Sequence, residues 1–492
     1  MKKVQYPLLF TLIGCITLCI IHCPAFNILY DDKEIFKYTG QVILKGGIPY
    51  KDFFDHKPPL IFFLNYFGLL LGSWGLWILD SLMVIISTLF FFRLCRNRIP
   101  FPWMLPLLYN TLLRLPYVSN GIGMTREYTS ILLLMLFCAL MSNHRRKYLI
   151  AGILSSLIFF MQQDQVLPML PYLGVGLMGW LPGYKKASIF NRASATAVGF
   201  LLIAFPLLLY FLVNGALQDF WNDAFLFNFN WYTEKISIIQ HAVALNKTLG
   251  YSGYNVVFYG SLILGLASLF AVHRYKNLLI AALLAVILSF SAEYLSGKLV
   301  AGLAVSYYLL PLAATIPILL LVIFAYSDLF TPLNSRHQLI YGLIFSLPIL
   351  IHIGAYVRNL KANKENLLES SAEGKYFEDI ALRDYDLYVF YNSNAVFLYN
   401  QHHILSPSKW IYHYFWHWYP NWDADQKILE SIEHDLTVHR TKYILDCSDS
   451  ATFKNPESRR NWTNFMVANY EPVNLMNGRY LIWKIKSDAK KE

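Results

Sequence analysis

Long apolar segments alternate with short polar connections over the first three quarters of the chain. The lengths of these segments are those of helices that cross, or nearly cross, a lipid bilayer. The segments at 148–162 and 166–182 are short and are joined by Gln162–Gln163–Asp164–Gln165, so we expect them to enter and leave the membrane as a pair. The pattern predicts about eleven transmembrane helices, near 7–29, 74–92, 99–117, 128–142, 148–162, 166–182, 195–213, 252–272, 278–292, 306–326 and 339–357.

The pattern changes after about residue 358. The stretches "DLYVFYN" (386–392) and "TKYILDC" (441–447) are typical of buried strands, and "RYLIWKIK" (479–486) predicts a final strand. Between the first two, "DADQKILESIEHDLTVH" (423–439) has the spacing of an amphipathic helix. We therefore predict an α-helical polytopic membrane domain over 1–358 and a soluble α/β domain over 359–492.

Composition and charge support this division. The chain of 492 residues is 56% hydrophobic and only 15% charged, which excludes an ordinary soluble protein. Its net charge of +10 does not indicate nucleic acid, because the basic residues occur in short clusters between apolar segments, as the positive-inside rule expects. The first segment is long enough to span and lacks a clear cleavage site, so we expect an uncleaved helix with a cytoplasmic N-terminus. An odd number of spans then places the C-terminal domain on the periplasmic side. The basic clusters are Lys2–Lys3, Arg93/Arg96/Arg98, Arg145–Lys147, Lys185/Lys186/Arg192, Arg274/Lys276 and Arg336.

The connection after the first segment departs from this pattern. The stretch "LYDDKEIFKYTGQVILKGGIPYKDFFDHKPPLIFF" (29–63) carries five lysines on the predicted outer side, where lysine is disfavoured, and five acidic residues. Charge concentrated at a membrane surface indicates either binding of a charged ligand or chemistry. We call residues 30–60 the outer loop.

The outer loop resembles the first outer loop of bacterial family 39-like glycosyltransferases with the GT-C fold. These enzymes are relatives of the protein O-mannosyltransferases and the lipid A aminoarabinose transferases. The resemblance implies a GT-C fold, a place in the bacterial inner membrane, and inverting transfer of one sugar from a polyprenyl phosphate to a glycan, lipid or protein acceptor on the outer side. The matching residues are Asp32, Phe36, Tyr38, Gly40, Gly46, Pro49, Tyr50, Asp52, Asp55, His56, Lys57, Pro58 and Pro59.

The resemblance also assigns roles within the outer loop. Attack by a hydroxyl on an anomeric carbon needs a proton acceptor, and the departing phosphate needs a cation. The register implies that Asp32 is the base, with Asp31 as the alternative, although Lys33 stands where many relatives have Glu. Lys57 is assigned to the donor phosphate, the alternative being a lysine that snorkels at a helix start. Tyr50, Asp55 and His56 are expected to contact substrate.

No cofactor is predicted, but metal binding is left open. His56 stands where the aminoarabinose transferases place an acidic metal ligand, and it could bind a divalent cation with Asp32 or Glu127. These candidates have no regular spacing, so the sequence does not choose a ligand set.

A second group of candidates follows from the resemblance. Glu127 corresponds to an acidic residue that shares the family's active site, and Arg126 could meet a phosphate; an Arg–Glu pair that caps a helix is the alternative. Tyr307 and Tyr308 are expected to contact the donor phosphate, or else to belong to an aromatic belt at the membrane interface. Lys298 could supply a cation that is missing at Gln163–Asp164, where relatives often carry Lys–Gln.

Two charged residues in apolar surroundings have no role in this scheme. Asp80 and Arg114 lie within or beside predicted spans, where a charge is expensive enough to require a function or a partner. The sequence does not pair them.

Other functional classes make different predictions. A transporter or flippase for lipid-linked saccharides is expected to show internal repeats or broken helices in matching positions, and no repeat is visible. An oligosaccharide polymerase or ligase is closer in chemistry, but its large outer loop is expected late in the chain. Both remain alternatives to the glycosyltransferase.

Overall fold

The structure is a computed structural model of the chain. It describes residues 5–25, 32–114, 122–182, 188–232, 237–272, 274–295, 299–300, 303–304, 306–327, 340, 354, 372–391, 393–411, 422–423, 426–448, 452–453, 455–476 and 480–487. Asp31, Lys298, the predicted domain boundary near 358 and nearly all of the segment predicted at 339–357 lie outside the described residues.

Helices make up most of the described chain. In chain order they are α1 (Gln5–Ile21), α2 (Asp32–Leu44), α3 (Leu60–Leu70), α4 (Gly75–Arg96), α5 (Met104–Leu113), α6 (Thr125–Leu140), α7 (Lys147–Met161), α8 (Val166–Met178), α9 (Ile189–Val213), α10 (Leu217–Trp221), α11 (Ile238–Ser252), α12 (Asn255–Ser268), α13 (Lys276–Leu295), α14 (Leu312–Tyr326), α15 (Ala372–Glu378), α16 (Phe397–His402), α17 (Lys427–His439) and α18 (Pro456–Asn469). The strands are β1 (Leu299–Val300), β2 (Leu303–Ala304), β3 (Leu387–Phe390), β4 (Tyr443–Asp446), β5 (Tyr470–Met476) and β6 (Tyr480–Ile485).

Three helices of the described chain are long and apolar enough to cross a membrane: Gly75–Arg96, Ile189–Val213 and Tyr307–Tyr326. Six further apolar helices are shorter, namely Tyr6–Ile21, Leu60–Leu70, Met104–Leu113, Lys147–Met161, Asn255–Ser268 and Lys276–Ala292. A membrane protein is thereby supported, and the number of about eleven spans stays a prediction.

The chain divides into two compact units, each built from separate stretches of sequence. The first comprises Met1–Asn27, Trp74–Tyr210 and Thr233–Lys361, and the second Ile28–Ser73, Phe211–Tyr232 and Ala362–Glu492. The outer loop therefore shares a unit with the C-terminal residues.

Within the first unit, the segments predicted at 148–162 and 166–182 form two helices joined by a turn, and their passage into and out of the membrane as a pair stays a prediction. Helix α7 ends at Met161, a 3₁₀ turn covers Gln163–Gln165, and α8 begins at Val166. Helices α7 and α9 cross at glycines: a Cβ on Gly152 would overlap the Thr196 carbonyl, and one on Gly199 would overlap that of Leu149. Only glycine allows the two backbones to approach so closely.

The second unit contains two helices that the apolar pattern did not predict. Helix α2 has 13 residues and lies inside the outer loop. Its charged residues suggested a solvent-exposed loop, whereas most of its residues are buried. Helix α3 has 11 residues and is too short to read as a span. The two helices meet at Gly40, where a Cβ would lie 2.8 Å from the backbone of Asn65.

The C-terminal part of the second unit is a four-stranded sheet in the order β3-β4-β6-β5. Strands β3 and β4 are parallel, whereas β6 is antiparallel to both β4 and β5. The three predicted strands and the helix between the first two are confirmed; β5 and α18 were not predicted. Aromatic and aliphatic side chains form the core around this sheet, including Tyr388, Phe390, Leu429, Ile432, Leu436, Ile444, Trp462 and Met466.

Candidate active site

Asp32 is the first residue of α2, and its position suits an anion. The first turn of a helix presents backbone N–H groups without helical partners, and the helix dipole favours negative charge there. Asp32 and Glu34 both lie in this turn, and both are buried, with 9% and 6% of their surface exposed. The predicted base therefore lies at a helix start that is shielded from bulk water.

A strained turn connects α2 to the "DHKPP" run. Gly46 has a φ of +93°, which favours glycine, and Tyr50 adopts a φ of +70°, which is uncommon for a non-glycine residue. The Tyr50 side chain is fully buried, and its hydroxyl donates to the Lys57 carbonyl at 2.7 Å. Tyr50 thus fixes the backbone at Lys57.

The run itself gathers Asp55, His56 and Lys57. The Lys57 N–H donates to Asp55 Oδ1 at 2.9 Å, and Lys57 Nζ lies 3.0 Å from His56 Nε2. In the tautomer that carries its proton on Nδ1, the imidazole accepts from the ammonium and faces Asp55 Oδ1 at 3.6 Å. Asn228 holds the His56 carbonyl at 2.7 Å. All three side chains are buried.

Electrostatics connect Asp32 to this run. Burial raises the pKa of Asp55 from 3.8 to about 6, the Lys57 ammonium lowers it, and the charge of Asp32 raises it again. Asp55 therefore lies within electrostatic range of both the predicted base and the predicted phosphate-binding cation. The four residues Asp32, Asp55, His56 and Lys57 form what we call the outer-loop cluster.

Sequence reasoning missed two further charged residues beside the outer-loop cluster. Burial raises the pKa of Asp223 to about 7; Lys409 lowers it, and Asp219 and Asp55 raise it. Asp223 lies in a π-helical segment, Asn222–Leu226, a rare conformation that is frequent at functional sites. Neither Asp223 nor Lys409 belongs to a motif that a single sequence reveals.

A polar stripe along α2 faces residues from the C-terminal part of the same unit. Gln41 Nε2 donates to the carbonyls of Tyr399 (3.2 Å) and Ile404 (2.8 Å). The stripe consists of positions 34, 38, 41 and 45, which lie on one helix face. Its remaining contacts are Asn400 to Glu34, the Ser406 N–H to Tyr38, and Lys45 to Asp384 and to the His403 carbonyl.

In the first unit, the structure pairs the two charges that the sequence left unexplained. Arg114 binds Asp80 through one guanidinium nitrogen and Glu127 through another. All three side chains are fully buried. The second Glu127 oxygen accepts from the Gly123 N–H at 3.0 Å, and His22 Nε2 lies 3.2 Å from the Arg114 carbonyl oxygen. Glu127 is thus held at both oxygens.

Arg126 has different partners from its neighbour. Its guanidinium pairs with Asp164 at 2.9 Å and lies over the Tyr308 ring, 3.8 Å from the ring centre. The Tyr307 ring lies 5.9 Å from the same group. Three residues predicted to meet the donor phosphate are therefore adjacent within the first unit, together with the "QDQ" turn.

The described residues do not form an obvious metal site. No group of three or more His, Cys, Asp or Glu side chains is placed to hold a metal ion among the residues that the structure describes. Metal binding by His56 stays a prediction. Asp31 and Lys298, the remaining sequence candidates, lie outside the described residues.

Comparison with known proteins gives a structural match without a sequence match. No family model matches the chain, and neither does any curated protein sequence. The crystal structure of ArnT from Cupriavidus metallidurans in the apo state is similar over 98% of this chain and 98% of that chain, with a TM-score of 0.58 and 12% sequence identity. The chain therefore shares the GT-C fold of ArnT, which confirms the fold expected from the outer loop.

Proposed function

We propose that the protein is a membrane glycosyltransferase that transfers a sugar from a polyprenyl-phosphate donor to a hydroxyl acceptor on the periplasmic side. One observation carries this proposal: the buried Lys57 ammonium lies 5.8 Å from the centre of the Phe36 ring, one turn along α2 from the buried Asp32 carboxylate. Base and phosphate-binding cation are the two groups that such a transfer requires. The fold shared with ArnT is consistent with this class.

The proposed step is a single inverting displacement. The acceptor oxygen forms a bond to the anomeric carbon as the bond from that carbon to the phosphate oxygen breaks. Asp32 takes the proton of the acceptor hydroxyl, and the departing polyprenyl phosphate keeps the bonding electrons. Lys57 stabilises the negative charge that develops on that phosphate.

The loop holds Lys57 ready for this task. Tyr50 binds its carbonyl and Asp55 its N–H, so the backbone is fixed on both sides. The side chain donates to His56, and its ammonium lies 5.8 Å from the centre of the Phe36 ring, one turn along α2 from Asp32. A cation already in place needs little reorganisation when the phosphate charge develops.

The test is transfer by Asp32→Asn, which keeps the size of the side chain and removes the proton acceptor. We expect kcat to fall by about 10²- to 10⁴-fold with donor binding unchanged. Purified variants of matched thermal stability are assayed by single-turnover transfer from a polyprenyl-phosphate sugar, with Asp52→Asn, an exposed loop carboxylate, as the control. A transfer rate in Asp32→Asn equal to that of the parent would show that Asp32 is not the general base. Relocation of intact donor without release of free polyprenyl phosphate would identify a flippase instead.

A further inference from the structure

Asn400 forms a buried contact with the first turn of α2. Its side-chain Nδ2 donates to Glu34 Oε2 at 2.5 Å and lies 2.9 Å from the Glu34 backbone carbonyl. Glu34 and Asn400 are exposed by only 6% and 4%, and Asn400 lies on α16. One amide group therefore binds both the side chain and the backbone of a residue two positions after Asp32.

The rest of the polar stripe does not control this turn. Tyr38 and Gln41 bind their partners in the middle of α2, and Lys45 follows its last residue, Leu44, so all three contacts lie more than one turn away from Asp32. The first turn has backbone N–H groups without helical partners, and helix ends fray, so its position depends on contacts from outside the helix. Asn400 is the stripe partner whose contact lies nearest to Asp32 along α2.

A buried carboxylate at this place requires its partner. Burial raises the pKa of Glu34, whereas Lys37 and the Asn400 amide lower it. A buried carboxylate without a hydrogen-bond donor lowers its free energy by moving toward water. Such a movement of Glu34 would displace the first turn of α2.

We propose that Asn400 is a positioning residue for the transfer reaction: by binding Glu34, it fixes the first turn of α2 and so the place of the Asp32 carboxylate. The proposal rests on the transferase function proposed above. Displacement of a catalytic group by about 1 Å can cost 10²-fold in rate. Loss of the Asn400 contact is therefore expected to lower kcat by about 10- to 100-fold with little change in donor KM.

The sharpest test reverses the polarity of the hydrogen bond. Asn400→Asp removes the amide donor from both the side chain and the backbone carbonyl of Glu34, places two carboxyl groups against each other, and should lower kcat by about 10- to 100-fold. Glu34→Gln alone should stay near the parental rate, because the new amide oxygen still accepts from Asn400. The double variant Asn400→Asp/Glu34→Gln restores the side-chain hydrogen bond with its polarity reversed but not the bond to the Glu34 backbone carbonyl, so kcat should recover in part, to at least about threefold above that of Asn400→Asp.

Two further variants separate positioning from folding. Asn400→Leu has nearly the same size, removes the donor without adding charge, and should lose rate both with and without Glu34→Gln. Gln41→Met breaks two contacts of the same stripe, two turns away from Asp32, and should lower thermal stability while kcat stays within about threefold of the parent.

Hydrogen–deuterium exchange provides a readout that does not depend on activity. Amides of residues 33–38 should exchange faster in Asn400→Asp and slow again toward the parental rate in the double variant. An unrescued double variant, or parental kcat in both Asn400→Asp and Asn400→Leu, would overturn the positioning role alone. If the parent protein transferred no sugar although the exchange rates changed as expected, the proposed transferase function would be wrong. The role of Asn400 in transfer would then be wrong as well, although its contact with Glu34 would still hold the first turn of α2.

Discussion

The buried charges around Arg114 support a quantitative prediction about stability. One guanidinium binds two carboxylates, Asp80 and Glu127, and all three side chains are fully buried. Arg114→Met has a similar length and removes the positive charge, which leaves two carboxylates without their cation. Removing one partner of a buried pair costs about 3–5 kcal/mol, and two dependent partners place this variant at the upper end of that range.

The ion pair between Lys45 and Asp384 provides an exposed comparison for this loss of stability. Its atoms approach to 2.5 Å, but the side chains are 30% and 40% exposed. Exposed pairs contribute about 0–1 kcal/mol because water screens the charges and the side chains lose freedom. Lys45→Met should therefore have a small effect, and it serves as the matched control for Arg114→Met.

The assay measures the free energy of unfolding of each purified variant by denaturant titration and its melting temperature by thermal melts, with all variants in the same detergent. We expect Arg114→Met to lose about 5 kcal/mol, and Arg114→Lys to lose less, because a lysine keeps the charge but cannot bridge two carboxylates as a planar guanidinium does. The triple variant Arg114→Met/Asp80→Asn/Glu127→Gln should recover much of the loss by removing the uncompensated charges. A loss below about 1 kcal/mol for Arg114→Met would refute the reasoning, since it would mean that water reaches the carboxylates.

Three further predictions concern the outer loop. Lys57→Ala should lower kcat/KM for the donor by at least about tenfold, and Lys57→Arg by less because it keeps the charge; equal turnover and equal donor KM for Lys57→Ala and the parent would remove Lys57 from the donor site. Asp55 has a pKa of about 6 in the folded state and an ordinary value of 3.8, so the stabilisation from its protonated form is complete below pH 3.8 and is lost as pH rises through 6. Asp55→Asn should abolish this dependence in melts between pH 4 and 7.5, and parallel profiles for variant and parent would contradict the assignment. Gly40→Ala should destabilise by about 1–3 kcal/mol in the same melts, although alanine favours helices, because its Cβ would lie 2.8 Å from the Asn65 backbone; a gain in stability would show that α2 and α3 can separate at no cost.

Local patterns were enough to predict part of this molecule. The strand at "DLYVFYN" depends on a short continuous apolar run, and the helix at "KILESIEHDLTVH" on a side-chain period of 3.6 residues, both of which the sequence displays directly. The strand and the helix are local features, so a single chain reveals them. The GT-C fold was implied by the resemblance of the outer loop to a known family, and it is confirmed by the likeness to ArnT.

The missed features depend on partners that are distant in the chain. Asp80 and Arg114 are separated by 34 positions, and no local rule chooses between Asp80 and any other carboxylate as the partner of a buried arginine. Helix α2 was hidden because its charged residues suggested a solvated loop, whereas the structure buries Asp32, Lys33 and Glu34. A usable signal was present: polar residues at 34, 38, 41 and 45 repeat at helical spacing, which indicates a second polar surface against the helix.

The discontinuous second unit has a consequence for biosynthesis. Asn400 and Glu34 are separated by 366 positions, so α2 leaves the ribosome long before its partner helix exists. At about 5–20 residues per second, the interval is about 20–70 s. During that time Glu34, Gln41 and Lys45 lack their C-terminal partners and can bind only water, lipid headgroups or chaperones in their place. Nascent chains arrested before residue 400 should therefore expose α2 to protease, and a ribosome pause in this interval would lengthen the period during which the unfinished protein can be degraded.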